Sequence, residues 1–219
     1  MMECLVKSLN VGMPGLLQVN GKEVRSAFVK TPSEQPVFLH SLNFEGDGQG
    51  NLEVHGGVDK AACAYPYEHY PHWEKELGAV MPAASFGENL TLTGMTEDSV
   101  CIGDIWRMGE AVLQVSEPRQ PCAKLGARHN RPDLVKKVAD TGFTGYYFRV
   151  LQEGYVQKGD YAVLEQRPYP GVTVQFVNGA IYKKPERADL ERILQCDALA
   201  SGLRQSFEKK MRNLFPASL

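Results

Sequence analysis

Apolar residues in the first 167 positions occur mainly in short runs bounded by turn residues, a pattern that predicts strands. The segment 18–24 contains the pair Asn20-Gly21, which favours a tight hairpin because both central residues must adopt positive φ. Further strands are predicted at 37–42, 90–93, 105–108, 111–116, 146–151 and 161–164. Many short strands with regular turns favour a closed barrel, because closure removes unpaired sheet edges.

Helical spacing interrupts the strands twice before residue 167. The segment 67–77 carries Tyr70, Trp73 and Leu77 at helical spacing, and we expect Tyr70 and Trp73 to be core residues. The roles of the neighbouring His69 and His72 stay open. A second helix is predicted at 132–139.

After residue 167 the pattern becomes helical. Helices are predicted at 174–182, 188–196 and 201–213, with Ser201 as the N-cap of the last one. Short helices must pack together to bury their apolar faces. We therefore predict a mainly β (α+β) fold with two domains, a barrel over 1–167 and a small three-helix domain over 168–219.

The charge and the cysteine content of the chain exclude several classes of partner and of metal site. The 24 Lys and Arg nearly balance the 26 Asp and Glu, so the chain has no overall attraction for nucleic acid or an anionic membrane. No apolar stretch predicts a membrane span and no secretory signal is recognised. Five widely spaced cysteines without a C-x-x-C pair fit neither a disulfide framework nor a zinc or iron–sulfur site. We expect a cytoplasmic protein with free thiols.

Cys122 is the strongest candidate for chemistry. It follows a predicted strand on a loop stiffened by Pro118 and Pro121, and Arg119 and Lys124 flank it. Nearby cations favour thiolate, the form that attacks electrophiles or binds soft metals. A small buried cysteine is the commoner role of a lone free thiol, and composition alone favours that alternative.

Two further clusters are weaker when taken singly. Gly56 and Gly57 permit close approach of a ligand to the backbone, and His55 and Lys60 would bracket an anion, although Gly-Gly is also ordinary turn material. The preceding stretch 45–50 is either a loop at the rim of the same site or a linker. Glu88 and Asn89 lie where a loop enters a strand, a common place both for ligand-binding groups and for turn residues.

Together, in this order, these motifs resemble the MOSC domain, the C-terminal module of molybdenum cofactor sulfurases. The resemblance rests on His55-Gly56-Gly57, Asp59-Lys60-Ala61, Phe86-Gly87-Glu88-Asn89-Leu90, Gly103-Asp104 and Pro118-Arg119-Gln120-Pro121-Cys122. With its helical tail, the whole chain is similar to the YiiM group of stand-alone MOSC proteins, which is associated with resistance to N-hydroxylaminopurine. The resemblance implies a MOSC-type barrel with peripheral helices, followed by three helices.

The resemblance also implies a molybdenum–pterin cofactor, with Cys122 as metal ligand or persulfide carrier. Cations and backbone donors would hold the cofactor, and Asn89 is a further candidate for binding it. The cofactor-binding residues expected are His55, Gly56, Gly57, Lys60, Asn89, Arg119 and Lys124. The family-level link to pyridoxal phosphate belongs to the desulfurase half of the full-length sulfurases, for which 219 residues leave no room.

The function expected from the resemblance is two-electron reduction of N-hydroxylated compounds, with Glu88 or His55 as proton donor. The sequence has no flavin, nicotinamide or iron–sulfur motif, so we expect a separate reductase to supply electrons. Two alternatives remain: a sulfur carrier with a persulfide on Cys122, and a non-catalytic cofactor-binding module. We expect no nucleic-acid polymer and no membrane as partner, and we leave the oligomeric state open, with a homodimer as one candidate.

Overall fold

An eight-stranded sheet forms the centre of the computed structural model, which describes residues 4–19, 21–48 and 56–216. In order across the sheet, its strands are Ala162–Gln166 (β12), Ile105–Met108 (β8), Ala111–Pro118 (β9), Tyr146–Gln152 (β10), Ala62–Pro66 (β6), Leu90–Thr93 (β7), Leu5–Val11 (β1) and Thr31–Pro32 (β4). Only the β6–β7 pair is parallel among these neighbours. A parallel pair needs a crossover connection, and the segment 67–89 supplies it.

The start of β1 also pairs with the segment at the start of β12. An isolated bridge joins Leu5 to Tyr161, the Val6 amide donates to the Asp160 carbonyl at 2.9 Å, and the Ala162 amide donates to the Cys4 carbonyl at 2.8 Å. The sheet therefore curves back on itself, as closure of a barrel requires. The mainly β (α+β) fold predicted from the sequence is confirmed.

Two smaller strand pairs complete the sheet structure. Gly15–Val19 (β2) pairs with Lys22–Ser26 (β3), which confirms the predicted hairpin. Asn20, part of that prediction, lies outside the described residues, whereas Gly21 has the positive φ of 75° that the turn requires. Val37–Leu39 (β5) pairs with Gly154–Val156 (β11).

Six α-helices are described. They are Tyr70–Leu77 (α1), Ala123–Arg128 (α2), Leu134–Thr141 (α3), Val174–Tyr182 (α4), Arg187–Leu194 (α5) and Ser201–Leu214 (α6). The last three form the expected C-terminal helical region. None of the helices in the described part of the chain has the length and apolar character needed to cross a membrane.

Two hydrophobic clusters make up the core. The larger one joins Leu113 and Phe148 of the sheet to Val177, Leu190 and Phe207 of α4, α5 and α6, so the helical region shares its core with the sheet. The boundary at residue 168 stays a prediction.

The smaller cluster holds α1, α2 and α3 against β6. It contains Trp73 at 0% and Tyr70 at 2% exposure, as expected for core residues. The rings of Tyr65 and Phe86 stack in it at 3.9 Å. Phe86 precedes β7, and Leu125 of α2 belongs to the same cluster. Packing in this cluster therefore fixes both the turn before β7 and the loop before α2.

One prediction about a helix start is wrong. Ala200 is the N-cap of α6, and Ser201 is its first helical residue. The Ser201 amide donates to the Asp59 carboxylate at 3.0 Å, so a residue from a distant turn supplies the cap that Ser201 was expected to provide.

Candidate functional site

A cleft open to solvent brings together residues from distant parts of the chain. Of the residues predicted from the sequence, those that line it are Lys60, Asn89, Arg119, Cys122 and Lys124. Gly56, Gly57 and Glu88 do not belong to its lining. His55 lies outside the described residues. The cleft therefore brings the Cys122 thiol together with several cations, as the motifs predicted.

Cys122 lies where the loop after β9 enters α2. It is the N-cap residue of α2, its backbone is extended, and its side chain makes no capping hydrogen bond. The thiol is half-buried and borders the cleft. The helix that follows is anchored by Leu125, which is fully buried. Cys122 thus occupies a position fixed by packing with its sulfur accessible from the cleft.

Arg119 is a buried cation in the wall of this cleft. It is 5% exposed, and its guanidinium carbon lies 5.6 Å from the centroid of the Phe28 ring. Its Nη1 atom is buried and has no hydrogen-bond partner in the described part of the chain. Burial acts to lower the pKa of Arg119, but nearby acidic groups, Cys63 foremost, raise it overall, so the guanidinium stays charged. A buried charged donor without a partner is costly, and an anionic ligand would supply the missing acceptor.

Lys60 reaches the cleft from a short 3-10 turn, Val58–Lys60, that begins after Gly57. Gly57 has a φ of 97°, a conformation that glycine adopts without strain. The Lys60 ammonium lies 3.5 Å from a carboxylate oxygen of Glu117 and 5.7 Å from the centroid of the Tyr147 ring. Burial raises the pKa of Glu117, while the Lys60 charge acts to lower it.

A buried ion pair between Lys30 and Asp47 forms another part of the wall. Asp47 also accepts a hydrogen bond from the Asn89 side chain at 2.9 Å. Asn89 in turn accepts from the Cys63 amide at 3.1 Å, so its amide group ties the ion pair to β6. Because Asp47 and Gly48 line the cleft, the described part of the stretch 45–50 belongs to the site rather than to a linker.

Glu88 is buried next to the cleft lining and holds the turn before β7. It is 0% exposed, and it accepts hydrogen bonds from Tyr70 at 2.5 Å, from Thr91 at 2.9 Å and from the Phe86 amide at 3.0 Å. Burial raises the pKa of Glu88. These contacts give Glu88 a structural role, and its predicted part in proton donation gains no support from its position.

The two histidines left open by the sequence have different environments. His69 is buried, stacks on Phe143 at 3.8 Å and lies 2.5 Å from a carboxylate oxygen of Glu97. His72 is exposed and contacts the edge of Trp73. Neither histidine lines the cleft.

Sequence reasoning missed several cleft residues, among them Phe28, Lys30, Cys63 and Tyr147. Cys63 of β6 is the direct partner of Tyr147 of β10, so both side chains point to one face of the sheet. Burial raises the pKa of the Cys63 thiol to about 11. Only the strand register, which a single sequence does not specify, would have brought this second thiol to the cleft.

The described residues contain no cluster of three or more His, Cys, Asp or Glu side chains arranged to hold a metal ion. Among these residues, Cys122 therefore belongs to no ligand set that the protein supplies by itself. The donor set of the cleft, one accessible thiol with an unpartnered guanidinium and further cations, suits an anionic guest that carries a soft metal.

Comparisons with known proteins find matches over most of the chain. The MOSC domain model matches residues 51–163, and the model of the YiiM-like 3-alpha helix domain matches residues 172–213. The chain is 49% identical to the Bacillus subtilis protein YflK over 212 residues, which cover 96% of each chain. It is 36% identical to Escherichia coli YiiM over 90% of this chain and 88% of that protein.

Two further similarities concern a longer protein and a solved structure. A Gibberella moniliformis protein named "Reductase" is 37% identical over 82% of this chain, which covers 32% of that protein. The crystal structure of YiiM from Geobacillus stearothermophilus superposes with a TM-score of 0.81 at 39% identity, covering 95% of this chain and 99% of that one.

Proposed function

Because this chain belongs to the MOSC domain family, in the group that carries the YiiM-like three-helix domain, we propose that it is a molybdenum-cofactor-dependent reductase of N-hydroxylated compounds. The observation that carries the proposal is that one cleft contains both the accessible Cys122 thiol and the buried Arg119 guanidinium, whose Nη1 has no hydrogen-bond partner among the described residues. MOSC domains are a molybdenum-cofactor-binding family.

The charges of the cleft support binding of an anionic cofactor. Four cations and one carboxylate line it, namely Lys30, Lys60, Arg119, Lys124 and Asp47. The carboxylate is paired with Lys30, and Lys60 lies 3.5 Å from Glu117, so the described lining carries more positive than negative charge, as binding of a group such as the cofactor phosphate requires. In this proposal Arg119, Lys60 and Lys124 hold the anionic part of the cofactor, and Cys122 supplies a protein ligand to the metal.

The bound cofactor would supply two-electron, oxygen-accepting redox chemistry. Reduction of an N-hydroxylamine to an amine consumes two electrons and two protons and releases one water molecule, with cleavage of the N–O bond. The chain's own contribution would be to bind and orient the cofactor through the cations of the cleft and to offer Cys122 as a ligand to its metal. The electrons would come from a separate reductase, and His55 is the proton donor proposed from the motif.

A metal and activity measurement tests the proposal. The chain is purified from a host that makes the molybdenum cofactor, molybdenum per chain is determined by elemental analysis, and reduction of N-hydroxylaminopurine is followed with a chemical electron donor. We expect Cys122→Ala to lose both molybdenum and activity. Cys4→Ala is the matched control, because Cys4 is also half-buried but does not line the cleft. Full molybdenum and activity in Cys122→Ala would refute the ligand assignment.

The accessible Cys122 thiol also supports a second candidate function, that of a sulfur carrier with a persulfide at this position. Intact-mass analysis of the freshly purified chain separates the two. A sulfane adduct that disappears in Cys122→Ala, together with absence of molybdenum, would favour the carrier. Stoichiometric molybdenum without an adduct would favour the reductase.

A further inference from the structure

Asp59 links the C-terminal helix α6 to the turn that carries Lys60. One carboxylate oxygen accepts from Nε and Nη2 of Arg149 at 3.0 and 2.7 Å. The other oxygen accepts from the Ser201 amide at 3.0 Å and lies 3.4 Å from the Ser201 hydroxyl. A single side chain therefore joins the 3-10 turn, β10 and the first turn of α6.

The backbone of the same turn is fixed as well. The Ser116 hydroxyl donates to the Asp59 carbonyl at 2.6 Å, and the Lys60 amide donates to the Gly57 carbonyl at 3.0 Å. The Ala200 amide donates to the Ser116 carbonyl at 3.0 Å, so α6 meets β9 at the same place. Since Lys60 directly follows Asp59 and lines the cleft, displacement of Asp59 would displace a cation of the site.

We propose that Asp59 is a positioning residue through which the three-helix region contributes to the anion site without lining it. The N-terminal amide of α6 and the Arg149 guanidinium fix the Asp59 carboxylate, and the turn then places the Lys60 ammonium between Glu117 and the cleft. Because the backbone of the turn is already fixed, binding of an anion by the Lys60 ammonium carries no further cost of ordering that backbone. The inference rests on the proposed function only in that the cleft binds an anion.

A double-mutant cycle tests the coupling, with inorganic pyrophosphate as the probe and calorimetry as the readout. The full-length variants are Asp59→Asn, Lys60→Met and the double variant. We expect each single change to weaken pyrophosphate binding about tenfold, the size of one lost charge-assisted contact. The double variant is expected to be no weaker than Lys60→Met alone, because Asp59 acts through Lys60. Asp59→Asn and Lys60→Met should also reduce the salt dependence of binding equally.

Two more variants separate positioning from general loss of stability. Arg149→Gln removes the partner that holds Asp59, and we expect it to weaken pyrophosphate binding while the chain remains folded by circular dichroism. Asp104→Asn is the matched control, because Asp104 also accepts from an arginine and a backbone amide, Arg167 and Cys101, but lies outside the cleft lining. It should lower the melting temperature and leave pyrophosphate affinity unchanged.

Two results would overturn the assignment of Asp59. One is additive losses of affinity in the double variant, and the other is unchanged affinity in both Asp59→Asn and Arg149→Gln. Failure of the unmodified chain to bind pyrophosphate would overturn it too, because the cleft would then not be an anion site. These measurements need no molybdenum. A chain that shows the predicted coupling yet binds no molybdenum would defeat the proposed reductase function alone.

Discussion

The guanidinium of Arg119 lies over the ring of Phe28, with 5.6 Å between its central carbon and the ring centroid. The ring shields the cation from water on one side, and the Nη1 atom has no hydrogen-bond partner among the residues that the structure describes. Cation–π contact compensates only part of the desolvation of a buried charge. The burial of Arg119 therefore lowers the stability of the folded chain, as expected for a residue whose role is to bind a ligand.

Replacement of Arg119 by methionine should separate binding from stability. We expect Arg119→Met to weaken pyrophosphate binding at least about tenfold, because a charge-assisted contact is lost. The melting temperature should stay the same or rise, because a buried unpartnered donor is removed. Arg107→Met, at an exposed ion pair with Glu165, is the control and should leave binding unchanged. A large loss of stability in Arg119→Met would mean that the guanidinium is structural.

Gly87 is expected to tolerate no side chain. Its φ is 74°, and an added Cβ would lie 2.9 Å from the Phe28 ring. Gly142 has nearly the same φ of 75° with open space around it, so Gly142→Ala measures the backbone strain alone, about 1 kcal/mol. Gly87→Ala should cost clearly more in chemical denaturation. Equal losses in the two variants would show that Phe28 moves aside freely.

The Asp104–Arg167 pair should contribute strongly to stability. Asp104 is fully buried and accepts two hydrogen bonds from Arg167, at 2.9 and 2.6 Å. Arg167→Met would leave the Asp104 charge buried without its counter-ion, and we expect a loss of about 3 kcal/mol in urea unfolding. The exposed pair of Arg107 and Glu165 should change stability by less than about 1 kcal/mol when Arg107 is replaced. Similar losses in both variants would contradict this reasoning.

Much of the fold followed from local patterns in the sequence. The strand Leu90–Thr93 and the helix Val174–Tyr182 have the predicted bounds, because turn residues and apolar spacing mark their ends clearly. The strands Leu5–Val11 and Ala62–Pro66 were missed. Every residue of the second is buried, so it lacks the alternation that identifies a half-exposed strand. The helix Ala123–Arg128 was also missed, because it is short and contains Gly126.

The site followed from the sequence only where its residues belong to compact motifs. Arg119, Cys122 and Lys124 are neighbours in sequence, and the structure places them in one cleft. Lys30 and Tyr147 reach the same cleft through tertiary packing and strand register, for which a single sequence carries no local signal. Glu88 belongs to a motif but does not line the cleft. It is a buried hydrogen-bond acceptor.

Thiol reactivity should single out Cys122. Burial raises the pKa of Cys63 and of Cys196 to about 11, and it raises that of Cys4, so these thiols stay protonated at about pH 7. Cys101 is 2% exposed. We expect iodoacetamide to modify Cys122 first in the native chain, as followed by peptide mass spectrometry. The fast phase should vanish in Cys122→Ala and persist in Cys4→Ala; the opposite pattern would place the reactive thiol elsewhere.

Burial of Glu88 should make the free energy of unfolding depend on pH. Its pKa is raised in the folded chain, so folded protein retains this proton at pH values where the unfolded chain has lost it. The stability contribution of Glu88 is therefore fully present below the ordinary carboxyl pKa and is lost as the pH rises through the raised value. Glu88→Gln should remove this decline in urea unfolding measured between about pH 4 and 8.

Glu76 provides the control of opposite sign. Its pKa is lowered by its hydrogen bond with Lys137, so its contribution is present at high pH and is lost as the pH falls through the lowered pKa. Glu76→Gln should leave the decline attributed to Glu88 intact. If Glu88→Gln kept the pH profile of the unmodified chain, the raised pKa of Glu88 would be refuted.

The sheet and the C-terminal helices share one hydrophobic core, so residues far from the cleft help to keep the cleft folded. Ile102 donates its amide proton to Val172, and Val174 donates to Val100, both at 2.9 Å, directly before α4. Leu190 and Ile193 of α5 are fully buried in the cluster that fills the sheet. Substitutions that loosen these contacts lower the fraction of molecules in the native state, even though every cleft residue is retained. Destabilising substitutions at these buried positions would therefore lower the amount of folded protein and with it the number of intact clefts.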